Sequence, residues 1–211
     1  MHLTREAKKK KTKKAILAAA VELFSINGFE KTSISQLAKT AGVGKGTVYS
    51  YFKTKQDLLL AFCEDELEYI HEQLNTRTNQ DAPVFEQLVT VFMAEFEYVT
   101  RNPEFGRLYM QEIVFPKKLL AEKHKEGENK FFEMIFPILL KGQERGEIRQ
   151  EFELLHLCGH FFAIYLLLLH AWYSDFIATS EAEAALRTLF TQAFVGLQPS
   201  TATTHHAEAQ S

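Results

Sequence analysis

A chain of 211 residues with a hydrophobic fraction of 46% can bury one substantial core or two modest ones. Two cysteines, Cys63 and Cys158, are too few for a disulfide framework and read as free thiols in a reducing cytoplasm. The longest apolar run, Phe161–Trp172, is interrupted by His170 and falls short of the roughly 18 residues a membrane span needs, and no apolar segment follows the basic N-terminus as in a secretory signal.

The net charge of −3 selects no partner, but its distribution does. Residues 1–55 carry 12 Lys and Arg against 3 Asp and Glu, and the remainder carries 12 against 24. One end suits a polyanion and the other does not. Lys8–Lys11, Lys13 and Lys14 supply half of the N-terminal basic residues and read as a basic arm.

Helical periodicity runs through the chain and alternating strand patterns are missing, so the fold class is all-α with about nine helices. The first helix spans about Thr12–Ile26, with Ile16, Ala19, Ala20, Leu23 and Phe24 on one face, and stops at Asn27-Gly28. Ser33 caps the second helix, with Gln36 completing a capping box, and Ile34, Leu37, Ala38 and Ala41 form its buried stripe. Gly42 supplies a left-handed turn and Val43 plugs it into the core. The third helix, about Lys45–Phe52, has only about two turns. Thr54 caps a fourth, Lys55 to about Leu74, with Asp57 at its third position.

A polar loop at 76–83 leads to a helix from about Val84 to Val99, then one from Pro103 to about Val114. Leu119–Arg145 follows, with breaks expected at Gly127 and Pro137. Gly142–Gly146 marks a turn. Two strongly apolar helices close the chain, about Phe152–Ile177 and Glu181–Leu197, before a tail at 198–211 that reads as disordered. The implied domains are 1–55, which binds DNA, 56–197, and the tail.

Two short helices joined by a tight turn form a helix-turn-helix, whose second helix enters the major groove of double-stranded DNA. Thr32 and Ser33, at a helix N-terminus, suit a phosphate. Lys45, Gly46, Thr47 and Tyr49 lie on the exposed side of the recognition helix, where Lys45 can reach a phosphate or a guanine edge and the Thr47 methyl a thymine methyl. Gly44, Ser50 and Tyr51 complete the face, and Lys55 is placed to clamp the backbone.

The pattern resembles the TetR family of bacterial transcriptional repressors over about residues 12–60. The residues that carry it are Leu23-Phe24, Gly28-Phe29, Thr32-Ser33-Ile34, Leu37-Ala38, Ala41-Gly42-Val43, Lys45-Gly46-Thr47-Val48-Tyr49, Tyr51-Phe52 and Lys55. Ser50 stands where many members carry histidine, and Gly44 where serine is common. The resemblance implies a homodimer on a palindromic operator, with a small-molecule effector bound among the middle helices. A two-fold dimer sets the recognition helices roughly 34 Å apart.

Leu155, Phe162, Leu166, Leu169, Leu186, Leu189, Phe190, Phe194 and Leu197 are the candidate dimer contacts. Phe92, Phe96, Tyr109, Phe132, Phe136, His160, Tyr165 and Trp172 are the candidate effector residues, and their aromatic character favours an apolar or aromatic ligand. No cofactor is expected. His156 and His160 lack a third ligand and read as core or interface histidines rather than a metal site. No nucleophile–base order or phosphate loop supports an enzyme. A small-molecule or protein-binding module with a vestigial DNA-binding end is the alternative, and an activator of the same family fits the same residues.

Overall fold

The structure, a computed structural model, describes residues 4–79, 81–115 and 121–197, with the side chains of 112, 113, 121–129 and 197 outside that description. The described residues form nine α-helices: α1 (Arg5–Asn27), α2 (Ile34–Thr40), α3 (Lys45–Tyr51), α4 (Lys55–Arg77), α5 (Val84–Thr100), α6 (Pro103–Val114), α7 (Ala121–Glu144), α8 (Leu154–Tyr173) and α9 (Ala182–Leu197), with a 3-10 turn at Thr179–Glu181. No strand occurs among them. The tail at 198–211 lies outside the described residues.

Packing divides the chain into two compact units, Met1–Gln73 with Ala94–Phe131 and Leu74–Met93 with Phe132–Ser211. In the first, α1 buries Ile16, Ala19, Ala20 and Phe24. The Phe24 ring meets Phe29 edge-on at 5.0 Å and stacks on Phe105 of α6 at 6.3 Å. Phe62 of α4 packs against Tyr98, Phe105 and Tyr109, so one aromatic cluster ties α4, α5 and α6 together.

In the second unit, α8 packs on α9. Phe161 contacts Phe190 at 4.9 Å and Phe194 at 5.5 Å, and Phe92 contacts Tyr165 and Phe190. Arg187 of α9 donates both terminal amino groups to Glu86 of α5 at 2.9 and 3.0 Å, and its Nε to Glu183. Those carboxylates raise the guanidinium pKa, and the same bond lowers that of Glu86.

Three features depart from the sequence expectations. α1 begins at Arg5, because Thr4 accepts from the Ala7 amide at 3.3 Å and lysine is a good helix former even without an apolar face. α7 runs unbroken through Gly127 and Pro137. Pro137 and Glu133 are both exposed, so the carbonyl deprived of its helical partner meets water. Finally, α8 is long and apolar enough to cross a membrane by length and composition, which the sequence reading did not expect of any segment. It buries Leu157, Phe161, Tyr165, Leu168 and Leu169 within its unit.

Candidate nucleic-acid interface

α2 and α3 are built as the sequence implies. Ser33 is the N-cap of α2, with its hydroxyl accepting from the Gln36 amide and the Gln36 side chain accepting from the Ser33 amide. Gly42 sits at φ +66°, where a Cβ would strain the backbone. Val43 closes the turn by donating its amide to the Ala38 carbonyl at 2.9 Å. Leu37, Ala38, Val48 and Phe52 are buried and fix the angle between the helices.

The opposite face of α3 is open. Lys45, Gly46, Tyr49 and Ser50 are exposed, and Thr47 is half-buried. A Cβ at Gly46 would meet nothing within 4 Å, so no neighbour in the protein requires glycine there. Gly44 is the N-cap of α3 and offers no side-chain cap. Ser50 donates its hydroxyl to the Thr47 carbonyl at 2.7 Å. Tyr51 is half-buried, with its ring 6.3 Å from that of Phe52.

Two of the expected DNA contacts are engaged within the chain. Thr32 is only 2% exposed, and its hydroxyl is held by the Leu23 and Gly28 carbonyls at 3.2 and 2.9 Å. It closes the end of α1 and is not presented to a phosphate. Lys55 donates Nζ to the Phe29 carbonyl at 2.6 Å and the Glu30 carbonyl at 3.1 Å. It fastens the start of α4 to the loop after α1.

A second polar site lies inside the first unit. Glu66 and Glu95 are each 5% exposed. Tyr109 donates its hydroxyl to Glu66 Oε2 at 2.5 Å, while Glu66 Oε1 and Glu95 Oε2 are buried without a hydrogen-bond partner among the described residues. Burial pushes Glu66 up to about 8, against the Tyr109 bond that lowers it. Burial, then the neighbouring Glu66 charge, also pushes Glu95 well up. Beside them, burial first and Glu66 second raise the Cys63 thiol to about 12, which makes it inert.

Comparison with known proteins converges on the helix-turn-helix. Residues 16–62 match the bacterial regulatory proteins of the tetR family. The fatty acid metabolism regulator protein of Bacillus subtilis is 28% identical over 135 residues, 64% of this chain and 70% of that protein. The chain belongs to the TetR family. Among solved structures, the regulator FadR from Bacillus subtilis in complex with stearoyl-CoA superposes with a TM-score of 0.70 at 25% identity, over 83% of this chain and 96% of that one. A TetR-family protein from Syntrophomonas wolfei superposes with a TM-score of 0.77 at 21% identity over 90% and 97%, a likeness of fold. This TetR-family chain is a DNA-binding transcriptional regulator and not an enzyme.

The aromatic candidates of the regulator are divided between the two units. Phe92, Phe132, Phe136 and Tyr165 belong to the second unit, where Phe132 contacts both Phe136 and Phe162. Phe96 and Tyr109 belong to the first. His160 is exposed on α8, and Trp172 donates its indole N–H to Thr179 at 2.9 Å.

The dimer candidates also divide. Leu169, Leu186, Phe190 and Phe194 are buried within the protomer, Phe190 and Phe194 against Phe161 of α8. Phe162, Leu166 and Leu189 are half-buried and Leu155 is exposed, while the Leu197 side chain lies outside the described residues. The free apolar face of α8 is Leu155, Gly159, Ala163 and Leu167, at a spacing of four. Sequence reasoning missed Glu66, Glu95 and the Arg187–Glu86 pair, because an acid on a helix looks the same whether its face is solvated or buried. His156 lies 3.6 Å from Glu153 on the surface, and no group of three metal-binding side chains occurs among the described residues.

Proposed function

We propose that this regulator is a homodimeric repressor acting in the cytoplasm, released from a palindromic operator by a fatty acyl-CoA. Residues 1–55 take the operator, and residues 56–197 take the effector and the partner subunit. The observation that carries the reading is the exposed α3 face, Lys45, Gly46 and Tyr49, mounted on a buried Val48–Phe52 side. A helix with one face locked and the other bare is how a helix-turn-helix reads base edges.

The open α8 face supports the dimer, since Gly159 and Ala163 allow a second helix close approach between Leu155 and Leu167. The acyl-CoA follows from two relatives, the Bacillus subtilis fatty acid regulator and the stearoyl-CoA complex of FadR. An acyl chain also suits an interior rich in Phe and Leu, and narrows the apolar ligand expected from sequence. The effector releases DNA by binding the conformation with mismatched recognition helices more tightly than the operator-bound one.

The test is fluorescence anisotropy on labelled DNA from the protein's own upstream region, beside a scrambled duplex. Tight binding to the native fragment alone, reversed by stearoyl-CoA and not by free coenzyme A, supports the reading. Specific binding indifferent to every acyl-CoA would remove the effector, and equal weak binding to both duplexes would remove the operator.

A further inference from the structure

α1 has two parts. From Ile16 onward its apolar residues enter the core, and before Ile16 no described residue is buried. The helix nevertheless extends from Arg5 to Ala15, about 16 Å at 1.5 Å per residue. Arg5, Lys8–Lys11, Lys13 and Lys14 face a single acid there, Glu6. Like charges at Lys9–Lys13 and Lys10–Lys14 oppose this helix, and no fully buried side chain before Ile16 offsets them. The segment lies ahead of residue 16, where the family match begins.

Its charge is not evenly spent. Lys9, Lys10, Lys13 and Lys14 line a recess of about 260 Å3 whose other walls include Tyr51 of α3 and Asp65 and Glu68 of α4. Lys13 is committed to Glu64 at 3.3 Å. Lys9, Lys10 and Lys14 make no ion pair among the described residues. At about 100° per residue, Lys8 and Lys11 project to the other side of the helix.

We propose that Lys9, Lys10 and Lys14 form a second DNA contact, which takes backbone phosphates flanking the bases that α3 reads. The inference rests on the DNA-binding reading above. Continuity supports it, because Tyr51 belongs both to the recognition helix and to the lysine recess. Charge supports it as well. Asp65 and Glu68 line the same recess without an ion pair to these lysines among the described residues, and duplex DNA, with one charge per about 1.7 Å, offers a denser partner. The contact is with phosphate and carries no sequence preference.

The experiment is a salt titration of binding to an operator duplex with long flanks, the same duplex trimmed to its core, and a flanked scrambled duplex. The wild type is compared with Lys9→Ala/Lys10→Ala/Lys14→Ala and with Lys8→Ala/Lys11→Ala. On both flanked duplexes the triple variant should flatten the slope of log K against log salt by about 2.7, at about 0.9 per phosphate contact. Its deficit should therefore shrink roughly 40-fold between 50 and 200 mM salt. The double variant should lose far less per lysine, and on the trimmed core the triple variant should match the wild type. A slope unchanged in the triple variant would overturn the contact. Equal loss per lysine in the two variants would overturn it too, by making it bulk charge. Absence of operator preference with the lysine effect intact would sink the operator reading and leave the contact standing.

Discussion

Lys55 Nζ donates to the Phe29 carbonyl at 2.6 Å and lies 4.8 Å from the centroid of the Phe29 ring. One ammonium thus satisfies a carbonyl left open after α1, stacks on a buried aromatic residue and fixes the first turn of α4. A cation committed to two carbonyls and a ring has little left for a phosphate.

Lys55→Met keeps the alkyl stem and removes the charge. It should destabilise the protein by about 1.5–3 kcal/mol in chemical denaturation, the range for a hydrogen bond made by a charged group. The salt slope of DNA binding should stay at the wild-type value. A slope lowered by about one would return Lys55 to the phosphate contacts.

What was legible in the sequence was whatever periodicity and capping encode. The capping box at Ser33, the turn at Gly42 and the inward-facing Val48 and Phe52 follow from residue types at fixed spacing. The intramolecular partners of Lys55 and Thr32, the carbonyls of Leu23, Gly28, Phe29 and Glu30, were not legible because the chain creates them by folding back. The dimer list mixed core with surface for a related reason. Leu169 and Leu167 are both leucines on α8, and only the packing around the helix makes one of them core. The first turns of α1 escaped because lysine carries helix propensity without an apolar stripe.

The buried acids give a pH dependence with a definite sign. Glu66 is raised from 4.5 to about 8 in the folded state, chiefly by burial, so between these limits the folded chain holds a proton that the unfolded chain has lost. Stability is fully present below about 4.5 and is lost as pH rises through about 8, at about 1.4 kcal/mol per pH unit for one proton. Glu66→Gln keeps an acceptor for Tyr109 and removes the titration. Urea unfolding from pH 5 to 8 should fall less steeply in the variant, which should be the more stable protein at pH 8. Parallel slopes would show that Glu66 is ionised throughout.

Gly142 marks a close approach of α7 to α5 within the second unit. A Cβ there would lie 2.7 Å from Val84 Cγ2 and 3.3 Å from Ile148 Cδ1. Gly142→Ala should cost about 1–3 kcal/mol through overpacking, despite the better helix propensity of alanine. Val84→Ala removes the obstructing methyl groups, so the double variant should be more stable than the sum of the two single losses predicts. Strict additivity would place the strain elsewhere.

The exposed side of α3 separates base reading from backbone attraction. Tyr49 is 53% exposed and makes no hydrogen bond through its hydroxyl among the described residues, so its removal should leave the fold intact. Tyr49→Phe keeps the ring and deletes the hydroxyl. If the hydroxyl serves a phosphate, this variant should weaken operator and scrambled duplex alike; if the ring meets a base, Tyr49→Ala should weaken the operator selectively, by about 1–3 kcal/mol, while Tyr49→Phe spares it. Lys45→Ala distinguishes the same two roles by its salt slope, which drops by about one for a phosphate contact and holds for a guanine contact. Indifference of both duplexes to all three substitutions would mean that α3 does not enter the groove, because no other residues are exposed along its length except Gly46 and Ser50.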